Sequence, residues 1–217
     1  MSSKTDQLNN LFTIWEKKHE SYRSGFKRDG IVDEYLFTKT KTKILYITKE
    51  PNDPKQSAGD YREWWKEGVK YSFSHRIAEW SYGLLNNFPQ YDDIRKNNKL
   101  INESILKIAF MNIKKSGGTG SSNYDIIMEH LEMNKEYIKE EIQIIDPDII
   151  ITGITWKETR KALFPNVVWK NSGYAVAIGR YNNAKVIDFY HPSSRTAPSA
   201  SYSLLQNIVN SHNFKTL

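Results

Sequence analysis

The stretch Ile44-Leu45-Tyr46-Ile47-Thr48-Lys49-Glu50-Pro51-Asn52 constrains the fold more than any other. An apolar run that stops at two charges, a proline and an asparagine describes a buried strand ending abruptly in polar groups. Open α/β sheets bind ligands at the carboxyl ends of their strands, so this pattern places Glu50 at a site. Two more runs end the same way: Ile108-Ala109-Phe110-Met111 leads into Asn112, and Val186-Ile187-Asp188-Phe189-Tyr190 leads into His191-Pro192-Ser193. One pocket is expected to collect all three ends.

The rest of the chain alternates helical and extended patterns. Leu8, Leu11, Phe12, Trp15 and Tyr22 predict an amphipathic helix over residues 3–26. A short extended piece is expected at 34–37, strands at 43–48, 104–111, 149–153 and 185–189, and helices at 75–87, 124–144, 155–163 and 199–211. Val167 to Trp169 and Tyr174 to Ile178 read as edge strands or a hairpin. Residues 52–60 have turn chemistry and read as a functional loop, and the glycine-rich segment 114–123 reads as the most flexible one. This order predicts one α/β domain over residues 1–217: a three-layer α/β/α sandwich around a central, mainly parallel four-stranded sheet. Residues 1–30 would supply a helix packed on a core at 43–212.

Composition removes several chemistries. The chain has no cysteine, which excludes disulfides, thiolate catalysis and cysteine-ligated zinc or iron–sulfur clusters. Five histidines without a close pair argue against a structural metal. No apolar run approaches a membrane span, and the polar start shows no secretory signal, which predicts a cytoplasmic protein. A net charge of +6 favours polyanionic partners, and 6 Trp and 13 Tyr offer stacking surfaces beyond what a core needs. The glycines at 116–122 are not followed by the Lys of a phosphate-binding loop. Neither Gly-x-Gly-x-x-Gly nor Gly-x-Ser-x-Gly occurs, so dinucleotide binding and a serine-hydrolase elbow have no signature.

What remains at the strand ends is a carboxylate, an amide and an imidazole. These activate water, read the donor–acceptor edge of a base and stabilise a developing oxyanion, which is the equipment for cleaving an N-glycosidic bond. Thr48-Lys49-Glu50-Pro51-Asn52, Phe110-Met111-Asn112-Ile113-Lys114-Lys115 and His191-Pro192-Ser193-Ser194-Arg195 resemble, in order and spacing, the three motifs of the uracil-DNA glycosylase superfamily. Pro147-Asp148-Ile149-Ile150-Ile151-Thr152-Gly153 is similar to that family's penultimate core strand.

The resemblance implies a DNA base-excision enzyme that flips a deaminated, uracil-like pyrimidine out of damaged or single-stranded DNA. It implies a monomer with no metal or organic cofactor. Glu50 takes the place of the water-activating carboxylate and His191 that of the group bonding the departing base. Asn112 would read the pyrimidine edge, with Phe73 stacking on the base and Thr48, Pro51 and Asn52 lining the pocket. Ser193, Ser194, Arg195, Lys114 and Lys115 would contact the nucleic acid, with Arg62 as a further phosphate neutraliser. The chain departs from the pattern where Thr48 replaces the family's opening Gly and Asn52 stands in the place of a Tyr that excludes thymine. Two other readings follow from these departures: a glycosylase-like domain that binds a nucleic acid or nucleobase without cutting, and a hydrolase of small nucleotides or nucleosides.

Overall fold

A computed structural model describes residues 2–22 and 25–217. Among the described residues, nine strands run in chain order: β1 (Lys27–Arg28), β2 (Gly30–Ile31), β3 (Ile44–Thr48), β4 (Gly59–Asp60), β5 (Ala109–Asn112), β6 (Ile149–Thr152), β7 (Lys170–Asn171), β8 (Ala177–Tyr181) and β9 (Ala184–Asp188). The first helices are α1 (Lys4–Trp15), α2 (Glu34–Lys39), α3 (Tyr61–Lys66), α4 (Ser72–Leu85), α5 (Tyr91–Arg95) and α6 (Asn98–Ile105). They are followed by α7 (Tyr124–Met133), α8 (Lys135–Ile145), α9 (Lys157–Leu163), α10 (Pro198–Asn210) and α11 (His212–Lys215).

The main sheet has the order β2-β5-β3-β6-β9-β8-β7. Its centre, β5-β3-β6-β9, is entirely parallel. The sheet therefore has seven strands where four were expected, because β2 joins one edge and β8 and β7 the other, all antiparallel. These additions blunt the edges of the parallel core, which would otherwise offer unpaired backbone to a second chain. Asn182, at φ 51, occupies the left-handed position that the tight β8–β9 turn requires.

Alternation along the strands sorts the core into two layers. Leu45, Ile47, Ala109, Met111, Ile150 and Val186 pack with α1, α7, α8 and α9. Tyr46, Phe110, Ile151 and Ile187 pack with α3, α4, α6 and α10. β3 is followed by helices of the second layer and β6 by α9 of the first, so the connections diverge between these two neighbours. Such a divergence opens a crevice at the strand carboxyl ends.

Several elements differ from the sequence reading. Residues 34–37 form the helix α2, because the Asp33 carboxylate accepts the Leu36 N–H at 2.9 Å and caps it. The expected strand at 104–111 begins only at Ala109, since Asn97 caps α6 through the Leu100 N–H. The first helix stops at Trp15, well before the expected residue 26. No helix among the described residues is long and apolar enough to cross a membrane.

Candidate functional site

Parallel pairing sets Thr48 directly beside Asn112. Both side chains belong to the α3–α4 side by strand alternation, and both are buried. The Thr48 hydroxyl donates to Asn112 Oδ1 at 2.7 Å, and the Asn112 backbone N–H donates to Asp29 Oδ2 at 2.8 Å. Asn112 Nδ2 is buried without a partner among the described residues. A buried donor left unpaired costs about 1–3 kcal/mol, a cost that a ligand acceptor removes.

Gly153 brings the other half of the site close. A Cβ there would lie 3.1 Å from Pro192 Cδ and 3.4 Å from both the His191 Cα and Thr48 Cγ2. The glycine thus lets the loop after β9 approach the end of β3. The Ser193 N–H donates to His191 Nδ1 at 3.1 Å, which makes Nδ1 the acceptor and leaves the proton of the neutral ring on Nε2. Burial, and secondarily the Lys49 charge, hold the His191 imidazole down to about 4, so it is neutral at pH 7. Phe73, in the first turn of α4, joins the two sides: its ring centroid lies 5.9 Å from those of both Phe110 and His191.

Glu50 is enclosed. Its carboxylate, 6% exposed, accepts from Lys114 Nζ at 2.7 Å, and the same ammonium donates to the Gly117 carbonyl. A Cβ on Gly118 would stand 2.2 Å from the Glu50 carboxyl carbon, and one on Gly117 would stand 2.1 Å from the Asp53 carbonyl oxygen. These glycines serve close backbone approach. The segment read as most flexible is buried from Lys114 to Gly117 and pinned by the Gly118 N–H to the Pro51 carbonyl at 2.8 Å. Pro51 is buried, and exposed Asn52 bridges to Gly118 in parallel.

The expected phosphate contacts are placed differently. Lys115 is wholly buried between Asp29 at 2.5 Å and Glu141 at 2.6 Å, under the rings of Phe12 and Trp15. Arg62 is buried against Asp60 and Asn9. Lys114 holds Glu50, as above. None of these three cations is turned out to a ligand. Ser193 and Arg195 are exposed beside His191, and Ser194 is half-buried, its Oγ without a partner among the described residues and its N–H on the His191 carbonyl at 2.8 Å.

Four participants escape sequence reasoning. Asp29, read as part of a turn, is 1% exposed and orients both Asn112 and Lys115. Gly153 and Gly118 act through distances that no spacing reveals. Lys49 follows the last residue of β3 and lies 4.4 Å over the ring of Trp156. Its position immediately after a buried strand is the one signal the sequence offered. A hollow lined by Asp146, Pro147, Tyr181 and Asn183 lies at the opposite, amino-terminal end of β9 and gathers none of these groups.

Among the described residues, no three His, Asp or Glu side chains converge as metal ligands. The set at the strand ends instead offers a neutral imidazole donor, an amide donor, an enclosed carboxylate and an aromatic ring. Neither a protein-family model nor a curated protein matches the chain.

Proposed function

We propose that the chain is a DNA glycosylase that hydrolyses the N-glycosidic bond of a flipped, deaminated pyrimidine. The observation that carries this reading is a pair of unspent donors at the strand ends, the buried Asn112 Nδ2 and the neutral His191 Nε2, the imidazole lying beside Phe73. A pyrimidine presents two carbonyl oxygens on one flat ring, and this geometry suits it. Phe73 covers the ring, Asn112 donates to one carbonyl, and His191 donates to the other. The His191 bond strengthens as the glycosidic bond breaks and negative charge spreads onto the base, which is the differential binding catalysis needs. Glu50 orients the attacking water, held in place by Lys114 and packed against Gly118. The parallel centre with three motifs along one edge supports the likeness to the uracil-DNA glycosylase superfamily.

Thr48 shapes selectivity. Its hydroxyl occupies one lone pair of Asn112 Oδ1, so the amide meets a ligand chiefly as a donor. Exposed Asn52 leaves room beside the ring, and we expect tolerance of a 5-substituent.

The same Thr48–Asn112 bond motivates the second reading, a domain that binds a base without cutting. The two separate on one assay. Oligonucleotides with a single uracil or another deaminated base, single- and double-stranded, are incubated with the protein and treated with alkali. Scission at the modified position supports the glycosylase. Binding without scission, lost in Asn112→Ala, supports the silent domain; absence of both sinks both.

A further inference from the structure

Lys49 stands apart from the other buried lysines. Lys27 is paired with Asp53 at 2.8 Å, Lys114 with Glu50, and Lys115 with Asp29 and Glu141. Lys49 is half-buried at the carboxyl end of β3, yet its ammonium makes no hydrogen bond or ion pair with any described residue. It lies over the Trp156 ring, and Tyr124 packs edge-on against that ring at 5.3 Å. Burial lowers its pKa from the ordinary 10.5, with the Glu50 charge partly opposing the shift. Its charge reaches His191 as well. Lys49 thus stands in the chain between Thr48, which bonds Asn112, and the proposed water-activating Glu50, at the strand end where the sugar of a flipped nucleotide would lie.

We propose that Lys49 is a nucleophile that forms an imine with C1′ of an abasic deoxyribose, giving the protein an abasic-site lyase activity. This rests on the reading that the strand-end centre receives a nucleotide of DNA. Base removal leaves a hemiacetal in equilibrium with an open-chain aldehyde. The neutral amine attacks C1′ to form a carbinolamine, and the former carbonyl oxygen departs as water, leaving a protonated imine. This electron sink acidifies C2′. A base, for which Glu50 is positioned, removes a C2′ proton; the electron pair forms the C2′–C3′ double bond, and the C3′–O bond breaks with the phosphate as leaving group. Water then hydrolyses the imine, restoring the amine and releasing an unsaturated aldehyde. One water is expelled and one consumed, and no oxidant or reductant takes part. An unpaired, partly desolvated lysine is the form in which an amine serves as such a nucleophile.

The competing role for Lys49 is a phosphate-binding cation, which arginine would fulfil equally. The test uses the full chain, an oligonucleotide carrying a preformed abasic site, and sodium borohydride, which reduces an imine to a stable amine. A covalent protein–DNA adduct that peptide mapping places on Lys49 is expected. Lys49→Arg should lose it by roughly 100-fold or more, with an unchanged circular dichroism spectrum. No adduct from the native chain, an adduct mapped to the amino terminus or another lysine, or an adduct that persists in Lys49→Arg overturns the proposal. Because the abasic site is preformed, the result is independent of base removal. Excision of uracil without an adduct sinks the lyase alone, whereas an adduct on Lys49 without excision of any deaminated base sinks the glycosylase reading.

Discussion

Two clusters of charge lie within a few residues of one another and are built on opposite terms. In the core, Lys115 is closed between Asp29 and Glu141 with essentially no exposure. At the strand ends, the Lys49 ammonium and Asn112 Nδ2 make no hydrogen bond with any described residue, and the His191 ring makes one, through Nδ1. The first cluster is closed to solvent: one ammonium is shared by two carboxylates, and Glu141, its carboxyl raised by burial and by the Asp29 charge, has no partner among the described residues beyond that ion pair. The second is left open, and its unspent donors are what a substrate would meet. Asp29 links the two: one carboxylate oxygen takes the Lys115 ammonium and the other takes the Asn112 backbone N–H. Folding of the closed cluster thus fixes the open one.

Removing Lys115 should break the comparison most severely. Lys115→Ala leaves two buried carboxylates without their cation, and we expect a loss of about 3–5 kcal/mol in urea unfolding. A change under 1 kcal/mol would show that Lys115 does not hold the two buried carboxylates.

Gly118→Ala probes the border between the clusters, since the added methyl meets the Glu50 carboxyl. Overpacking should cost roughly 1–3 kcal/mol of stability, and displacement of Glu50 should lower excision about 100-fold. Excision at the native rate would remove Glu50 from its assigned role.

Acid sharpens the contrast in a third way. Burial is the larger cause that holds His130 and His191 down to about 4, against 6.5 for a free imidazole. Between these values the unfolded chain binds more protons than the folded one, so the histidine contribution to stability is present above about pH 6.5 and is lost as pH falls towards 4. Glu141, whose carboxyl is raised by burial first and then by Asp29, contributes the opposite slope. The difference between the native chain and His191→Gln isolates the imidazole. The variant should lose about 1–3 kcal/mol less stability than the native chain from pH 7 to 4, and parallel curves would contradict a neutral His191.

The smallest effect is expected at Lys49. With no partner to orphan, Lys49→Met should change stability by no more than about 0.5 kcal/mol. A loss of several kcal/mol would mean that Lys49 is part of the closed cluster.

How much of this was legible follows from the range over which each interaction acts. The ends of β3, β5 and β9 could be read because a buried strand announces its end when apolar residues give way to Glu50, Asn112 and His191. The helices at Glu34–Lys39 and Asn98–Ile105 were hidden because each is short and set by a single cap, Asp33 or Asn97. Strands β2 and β7 are two residues each, too short for an alternation to show. The fate of the lysines was not legible at all. Lys114 and Lys115 look like any surface pair, and only the distant Glu50, Asp29 and Glu141 decide that they are buried. The glycines at 117 and 118 read as flexible, since composition reports conformational freedom and not the close approach of another backbone.

The central claim is that the open cluster breaks a glycosidic bond. Release of free base from deaminated-pyrimidine DNA, followed by mass spectrometry for the native chain and for Glu50→Gln, tests it most directly. The account predicts stoichiometric release by the native chain and a rate lower by about 100- to 10,000-fold in the variant. Equal release by both proteins, or none from any deaminated base in either strand form, would contradict it.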